Sequence, residues 1–178
     1  MQKSTSGPRS AAGHSNAYLF SHRPWKLHLS SCLDELGHHE EALQLKQEVY
    51  HTMKELAPNS INFVGAGLSV VIVLKNLQRH AEIKSFLSEH LPLARRIAGP
   101  DHDLTLRLEL DVVEETLQKV EGGGKVGAKD FREAMDIAED VYRRRLRIYG
   151  AMHPNTVMVR NTLDGLRSHP ASLIVDEK

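Results

Sequence analysis

The chain has 178 residues, 40% apolar and 26% charged, a composition that builds one globular domain with a core rather than a disordered polymer. Its 23 basic residues balance 23 acidic ones, which excludes a global field drawing it to nucleic acid or an anionic membrane. A single cysteine, Cys32, cannot close an internal disulfide and fits a reducing, cytoplasmic setting.

Residues 1–17 are rich in Ser, Gly, Ala and basic side chains without an apolar period, and are expected to be disordered. This end is basic, since Lys3, Arg9, Arg23 and Lys26 precede the first acidic residue, Asp34. Its Ser-rich, acid-free character loosely resembles an organellar transit peptide but lacks the basic amphipathic helix of one. Order is expected from near Tyr18, in a repeat domain over 18–168 followed by a tail over 169–178. Pro24 suits the first turn of a helix, and Trp25, Leu29, Cys32, Leu33 and Leu36 follow at helical spacing until Gly37, which favours the left-handed conformation of a C-terminal cap. Cys32 is expected as a small core residue.

A second helix is predicted from His39 to Ala57, with Ala42, Leu45, Val49, Met53 and Leu56 on one face and Pro58 past its end. Ile61 to Leu77 is apolar on every side and contains the strand formers Val70, Val71, Ile72 and Val73. It is too short to span a membrane, and its helical flanks favour a helix covered on two sides. Helices follow from His80 to Ala98, with Pro92 as a kink, and from Asp103 to Val120. The Gly-rich stretch 121–129 interrupts the pattern and reads as a flexible insertion that folding does not need. Helices from Asp130 to Tyr149 and from Pro154 to Arg167 complete the domain.

A repeat organises these elements. Arg96-Ile97-Ala98-Gly99-Pro100-Asp101-His102-Asp103-Leu104-Thr105 returns as Arg147-Ile148-Tyr149-Gly150-Ala151-Met152-His153-Pro154-Asn155-Thr156, identical at five positions. Ala57-Pro58-Asn59-Ser60 precedes Gly99-Pro100-Asp101-His102 by 42 residues, whereas Gly99 and Gly150 lie 51 apart, an excess equal to the nine-residue Gly-rich stretch. Two helices per 42 residues predict an all-α fold, an α-α superhelix of stacked antiparallel hairpins. The helix after Pro154 would then open a hairpin without its second member. Leu163 and Leu166, or the tail at Leu173, Ile174 and Val175, are expected to take part in capping or self-association.

Gly150, His153, Pro154 and Thr156, with Asn161 and Leu163 after them, resemble the turn and first helix of a tetratricopeptide repeat of the kinesin light chain type. Leu36-Gly37 with Glu41-Ala42, and Glu133-Ala134, are similar to that repeat's internal turn, whereas Gln78 stands where the pattern has Gly. The resemblance implies a non-catalytic scaffold that binds a peptide or protein segment in a concave groove lined by the first helix of each hairpin. Positions in register with Asn161-Thr162 are Leu110-Asp111, Leu68-Ser69 and Leu27-His28. The candidate partner-binding residues are therefore His28, Ser69, Arg107, Asp111, Arg160 and Asn161.

Other chemistry is poorly supported. The Gly-rich stretch has no Lys-Ser/Thr pair after its glycines and so lacks the magnesium-binding hydroxyl of a phosphate loop. His38 and His39 diverge by about 100° on a helix and do not converge on one metal ion. His102 and His153 are expected to pack or hydrogen-bond across the junction between repeats. Arg143, Arg144, Arg145 and Arg147 are expected on a solvated face, paired with Glu139 and Asp140 one turn earlier, rather than on nucleic acid. No catalytic residue, cofactor or metal is expected, and no nucleic-acid or membrane partner. The alternative is a regulatory or accessory region of an enzyme whose catalytic part lies outside this chain.

Overall fold

A computed structural model describes residues 24–169 and 174–175. Seven helices occupy the described residues: α1 (Pro24–Glu35), α2 (His39–Leu56), α3 (Ile61–Asn76), α4 (His80–Ile97), α5 (Asp103–Glu121), α6 (Ala128–Tyr149) and α7 (Pro154–Ser168). The architecture is all-α. Two short strands, β1 (Val126–Gly127) and β2 (Ile174–Val175), pair in parallel as a small addition to the helices. The expected disorder over 1–17, the expected start of order near Tyr18 and the role assigned to Leu173 lie outside the described residues.

The turns are built by repeated local chemistry. After α1, α3 and α5 the same pair of backbone bonds recurs: Gly37 N–H to Asp34 with His38 N–H to Leu33, Gln78 to Lys75 with Arg79 to Leu74, and Gly123 to Val120 with Gly124 to Lys119. Each turn needs a left-handed residue, and Gly37, Gln78 and Gly123 have φ of 83°, 55° and 75°. The turns before α5 and α7 share a different device. His102 and His153 each accept the backbone N–H two residues on, at 3.2 Å, while Thr105 and Thr156 each donate to a carbonyl eleven residues earlier, at 3.4 Å. The two histidines are thus local N-caps. The His153 ring also stacks on Tyr149, 4.6 Å between centroids, within the preceding helix end.

Val70 to Val73 lie inside α3, which buries most of its circumference, Phe63, Val64, Leu68, Val71 and Leu74 among the buried residues, and leaves one stripe with Ile72 exposed. Burial decides this. A fully buried Val or Leu contributes roughly 1.5–3 kcal/mol, whereas strand propensity spans only about 1 kcal/mol per residue. Each helix packs on the next, and in addition α3 packs on α5 and α5 on α7. The largest core cluster joins α2, α3 and α4 and reaches Leu108, and two smaller clusters join α5, α6 and α7. Gly67 permits the closest approach: a Cβ there would sit 2.0 Å from Nε2 of His90, so α4 lays this ring directly on the α3 backbone.

The stretch 121–129 is more ordered than a flexible insertion. Gly122 to Gly124 form the third copy of the turn, Val126 is buried and paired with Ile174, and Ala128 already begins α6. The additional residues also lengthen the helices, with 19 in α5 against 16 in α3 and 22 in α6 against 18 in α4. Cys32 is exposed rather than in the core, as are Trp25, Leu29 and Leu36, because among the described residues no element covers that face of α1. Leu33 is the member of the stripe that packs on the core.

Candidate functional site

Helix α5 lies at the centre of the second half of the fold, touching α3, α4, α6 and α7, and it contributes to two surfaces. The first is the face shared with α3. Lys75 Nζ bonds Asp111 Oδ1 at 2.9 Å and also holds Glu114, while Arg107 sits one turn before Asp111. Burial raises the Asp111 carboxyl above its ordinary value against the opposing charge of Lys75, and Asp111 Oδ2 is buried without a hydrogen-bond partner. Burial would lower Lys75, but Glu114 and Asp111 outweigh it and raise its ammonium. Two carboxylates sharing one lysine account for the asymmetry. Further along this face Asn76 donates to Asp34 at 2.9 Å, and Asp34 also binds Lys46 and His39.

Of the sequence-predicted residues, Arg107 and Asp111 come together here. Ser69 is half-buried, and its hydroxyl donates to Gly65 of its own helix at 3.0 Å. Arg160 and Asn161 are exposed on α7, and His28 is exposed on α1. Of the apolar positions in the same register, Leu68 and Leu110 are drawn into the core and Leu27 is exposed. Sequence register missed Lys75 and Glu114, whose only signal was that Lys75 is the sole charge within the apolar α3 pattern.

The second surface is a cleft of about 630 Å³ between α4 and α6, floored by α5. Leu87, Leu91, Pro92, Val112 and Ile137 supply its apolar wall, and Val126 of β1 closes one end. Glu115 and Thr116 lie along its floor, and Lys84 reaches across to Asp130 at 3.0 Å. Glu115 Oε2 bonds His80 Nδ1 at 2.8 Å while Oε1 is buried with no hydrogen-bond partner. Nothing in the sequence reading assigned this cleft, because its walls come from three helices and its width depends on their relative side-chain volumes.

The arginine cluster divides: Arg143 and Arg147 are exposed as expected, whereas Arg144 and Arg145 turn inward. Arg145 is fully buried, donating to the Asn155 carbonyl at 3.1 Å and lying 3.5 Å from Asp103. Burial pushes its guanidinium below the ordinary value, with Asp103 opposing. Arg144 pairs with Asp140 as expected but also with the buried Glu109, which Arg95 of α4 holds from the other side at 2.8 Å. Glu139 pairs with Arg167 of α7, while Arg143 bonds only the Glu139 backbone. Through Arg144 and Arg145 these contacts tie α4, α5, α6 and α7 together, so those two members of the cluster are structural.

His38 and His39 bond Glu41 and Asp34 respectively, and no group of three or more His, Cys, Asp or Glu among the described residues is placed to hold a metal ion. No helix among them is long and apolar enough to cross a membrane. No protein-family model matches the chain and no curated protein matches it, so the functional reading rests on the residues themselves.

Proposed function

We propose that the chain is a helix-hairpin solenoid of the tetratricopeptide kind, acting as a non-catalytic interaction module that binds a peptide or protein segment along the first helices of its hairpins. The observation that carries this reading is the repetition of turn chemistry in register. The Schellman pair recurs after α1, α3 and α5, and the histidine cap with its threonine bond recurs before α5 and α7. A unit that returns with its hydrogen bonds intact stacks on its neighbour in the same way each time. The packing of α3 on α5 and of α5 on α7 agrees with such stacking.

In this reading α1, α3, α5 and α7 line one continuous face, and the ligand meets a mixed surface. Arg107, Arg160 and Asn161 offer donors, while Asp111 and Glu114 offer acceptors already partly engaged by Lys75. Binding is therefore spread over several repeats and only partly sensitive to salt.

A random peptide library panned against the full-length chain, followed by hydrogen-exchange mapping with the selected peptides, tests the proposal. Protection in α3, α5 and α7 around Ser69, Asp111 and Asn161 is the expected result. Peptides that bind tightly yet leave those helices unprotected overturn it.

A further inference from the structure

The cleft between α4 and α6 exists because the second gap between hairpins lacks the filling of the first. The gaps correspond in register, with offsets of 41 residues from Gly37 to Gln78, 42 from Ser60 to His102 and 51 from Gly99 to Gly150. Around the first gap, Leu43, Val73, Leu74, Ile83 and Phe86 are packed into the core, and the Tyr50 ring lies 5.1 Å from both Phe63 and Phe86. At the corresponding positions of the second gap stand Lys84, Glu115, Thr116, Ala134 and Ile137. Each of these five replacements is smaller or polar, while Leu87 stands where the first gap has Lys46. What was a dry, ring-filled contact between α2, α3 and α4 becomes an open cleft between α4, α5 and α6.

Two acceptors in the cleft are short of their ordinary donors. Oε1 of Glu115 is buried without a hydrogen-bond partner. The Ser88 carbonyl has lost its helical donor, because the residue one turn on is Pro92, which has no N–H. Both residues line the cleft. The open space runs beside α4 from His80 to Arg95, roughly 22 Å at the rise of an α-helix, which is the length of a polypeptide segment several residues long. The Lys84–Asp130 pair that crosses the mouth is exposed and easily displaced.

We propose that this cleft docks a short segment of a partner protein, one that presents a large apolar side chain to Leu87, Leu91, Val112 and Ile137 and a lysine or arginine to Glu115. The apolar side chain replaces the rings that fill the first gap. The cation supplies the donor that Glu115 Oε1 lacks. This site lies on the face of α5 adjacent to Asp111 and stands whether or not the first helices bind a ligand.

The test uses full-length chain and a twelve-residue random peptide library, panned in parallel on wild type and on a plugged variant, Ala134→Ile with Ile137→Phe, which restores the filling of the first gap. Peptides that select on wild type and lose at least tenfold affinity on the plugged variant are expected, with a large apolar residue and a Lys or Arg in common. Glu115→Gln, which keeps the shape of the side chain, should weaken the same peptides at least tenfold with an unchanged circular dichroism spectrum. It carries the test if the plugged variant does not fold. An Arg160→Ala, Asn161→Ala variant should bind these peptides as wild type does, which separates this site from the one along the first helices. The proposal is overturned if no cleft-dependent peptide emerges, if the cleft-dependent peptides lack a basic residue, or if Glu115→Gln leaves their affinity unchanged.

Discussion

Gln78 holds a left-handed backbone at the turn where its two counterparts are Gly37 and Gly123. A side chain in that region costs about 1–2 kcal/mol, while the greater freedom of an unfolded glycine returns about 0.4–1 kcal/mol to the unfolded state. Gln78→Gly should therefore stabilise the protein by about 0.5 kcal/mol, read as a higher urea midpoint at constant m-value. A lower midpoint would show that the Gln78 side chain contributes to the fold. His90 is the other residue whose setting gives a measurable consequence. Its Nε2 donates to the Val64 carbonyl at 3.3 Å, Tyr50 lies 3.3 Å from Nδ1, and burial holds its pKa below the ordinary value, helped by the charge of Lys54. The folded state therefore binds a proton less readily than the unfolded state. Stability is complete above the unfolded pKa of about 6.5 and is lost as pH falls from there through the depressed folded value. Melting temperature should fall between pH 7 and pH 5 in wild type and fall less in His90→Gln. Equal slopes would remove His90 as the cause. Neither residue stood out in the sequence, since the register located Gln78 but not its backbone, and the His90 environment comes from three helices.

Helix boundaries were legible because the caps are local: Gly37, Ser60, Pro154 and the repeated His positions act within their own turns. What was not legible arises from the partners an element meets. Arg145 takes the core position that Ala94 holds in α4, 51 residues earlier, and charge pattern alone places an arginine in water. The Gly-rich stretch misleads similarly, as its composition signals freedom while the pairing of Val126 with Ile174 and its burial show order. Deleting 121–129 would remove the turn after α5 together with the start of α6, so the deletion is expected to destabilise the fold rather than leave it cooperative. Val126→Ala separates the contributions, and should cost about 2 kcal/mol from two buried methyl groups and the space they leave. A chemical denaturation curve unchanged by Val126→Ala would return the stretch to the status of a dispensable loop. The last helix shows a further contrast. Thr156, Val159, Leu163 and Leu166 bury one face, while Arg160, Asn161 and Asp164 lie exposed where α5 has Glu109, Leu110 and Val113 buried. Leu163 and Leu166 are thus taken up by the core, whereas Met158 of the same helix is exposed.

At the scale of the molecule, the order of helices and turns could be read from turn residues, but the two surfaces of α5 could not, because each depends on which side chains of neighbouring helices meet it. The face along the first helices makes a prediction that separates binding from stability. Arg160 and Asn161 are exposed, so replacing both with Ala should change stability by less than about 0.5 kcal/mol. Asp111 requires the sign to be worked out. Its folded pKa is raised, so the folded state binds its proton more readily than the unfolded state, and this carboxylate lowers stability as pH rises from the ordinary carboxylate range through its raised value. Asp111→Asn removes that penalty and leaves Lys75 its bond to Glu114. The triple variant Asp111→Asn, Arg160→Ala, Asn161→Ala should therefore melt within a few degrees of wild type at pH 7 while binding a first-helix ligand at least tenfold more weakly. The control belongs on the outer face, and the structure selects it: Arg145 is buried and Arg144 holds Glu109, so reversing either would disturb the fold, whereas Arg143 is exposed and bonds only a backbone carbonyl of its own helix. If Arg143→Glu abolishes binding and the triple variant binds normally, the ligand lies along α6 and not along the first helices.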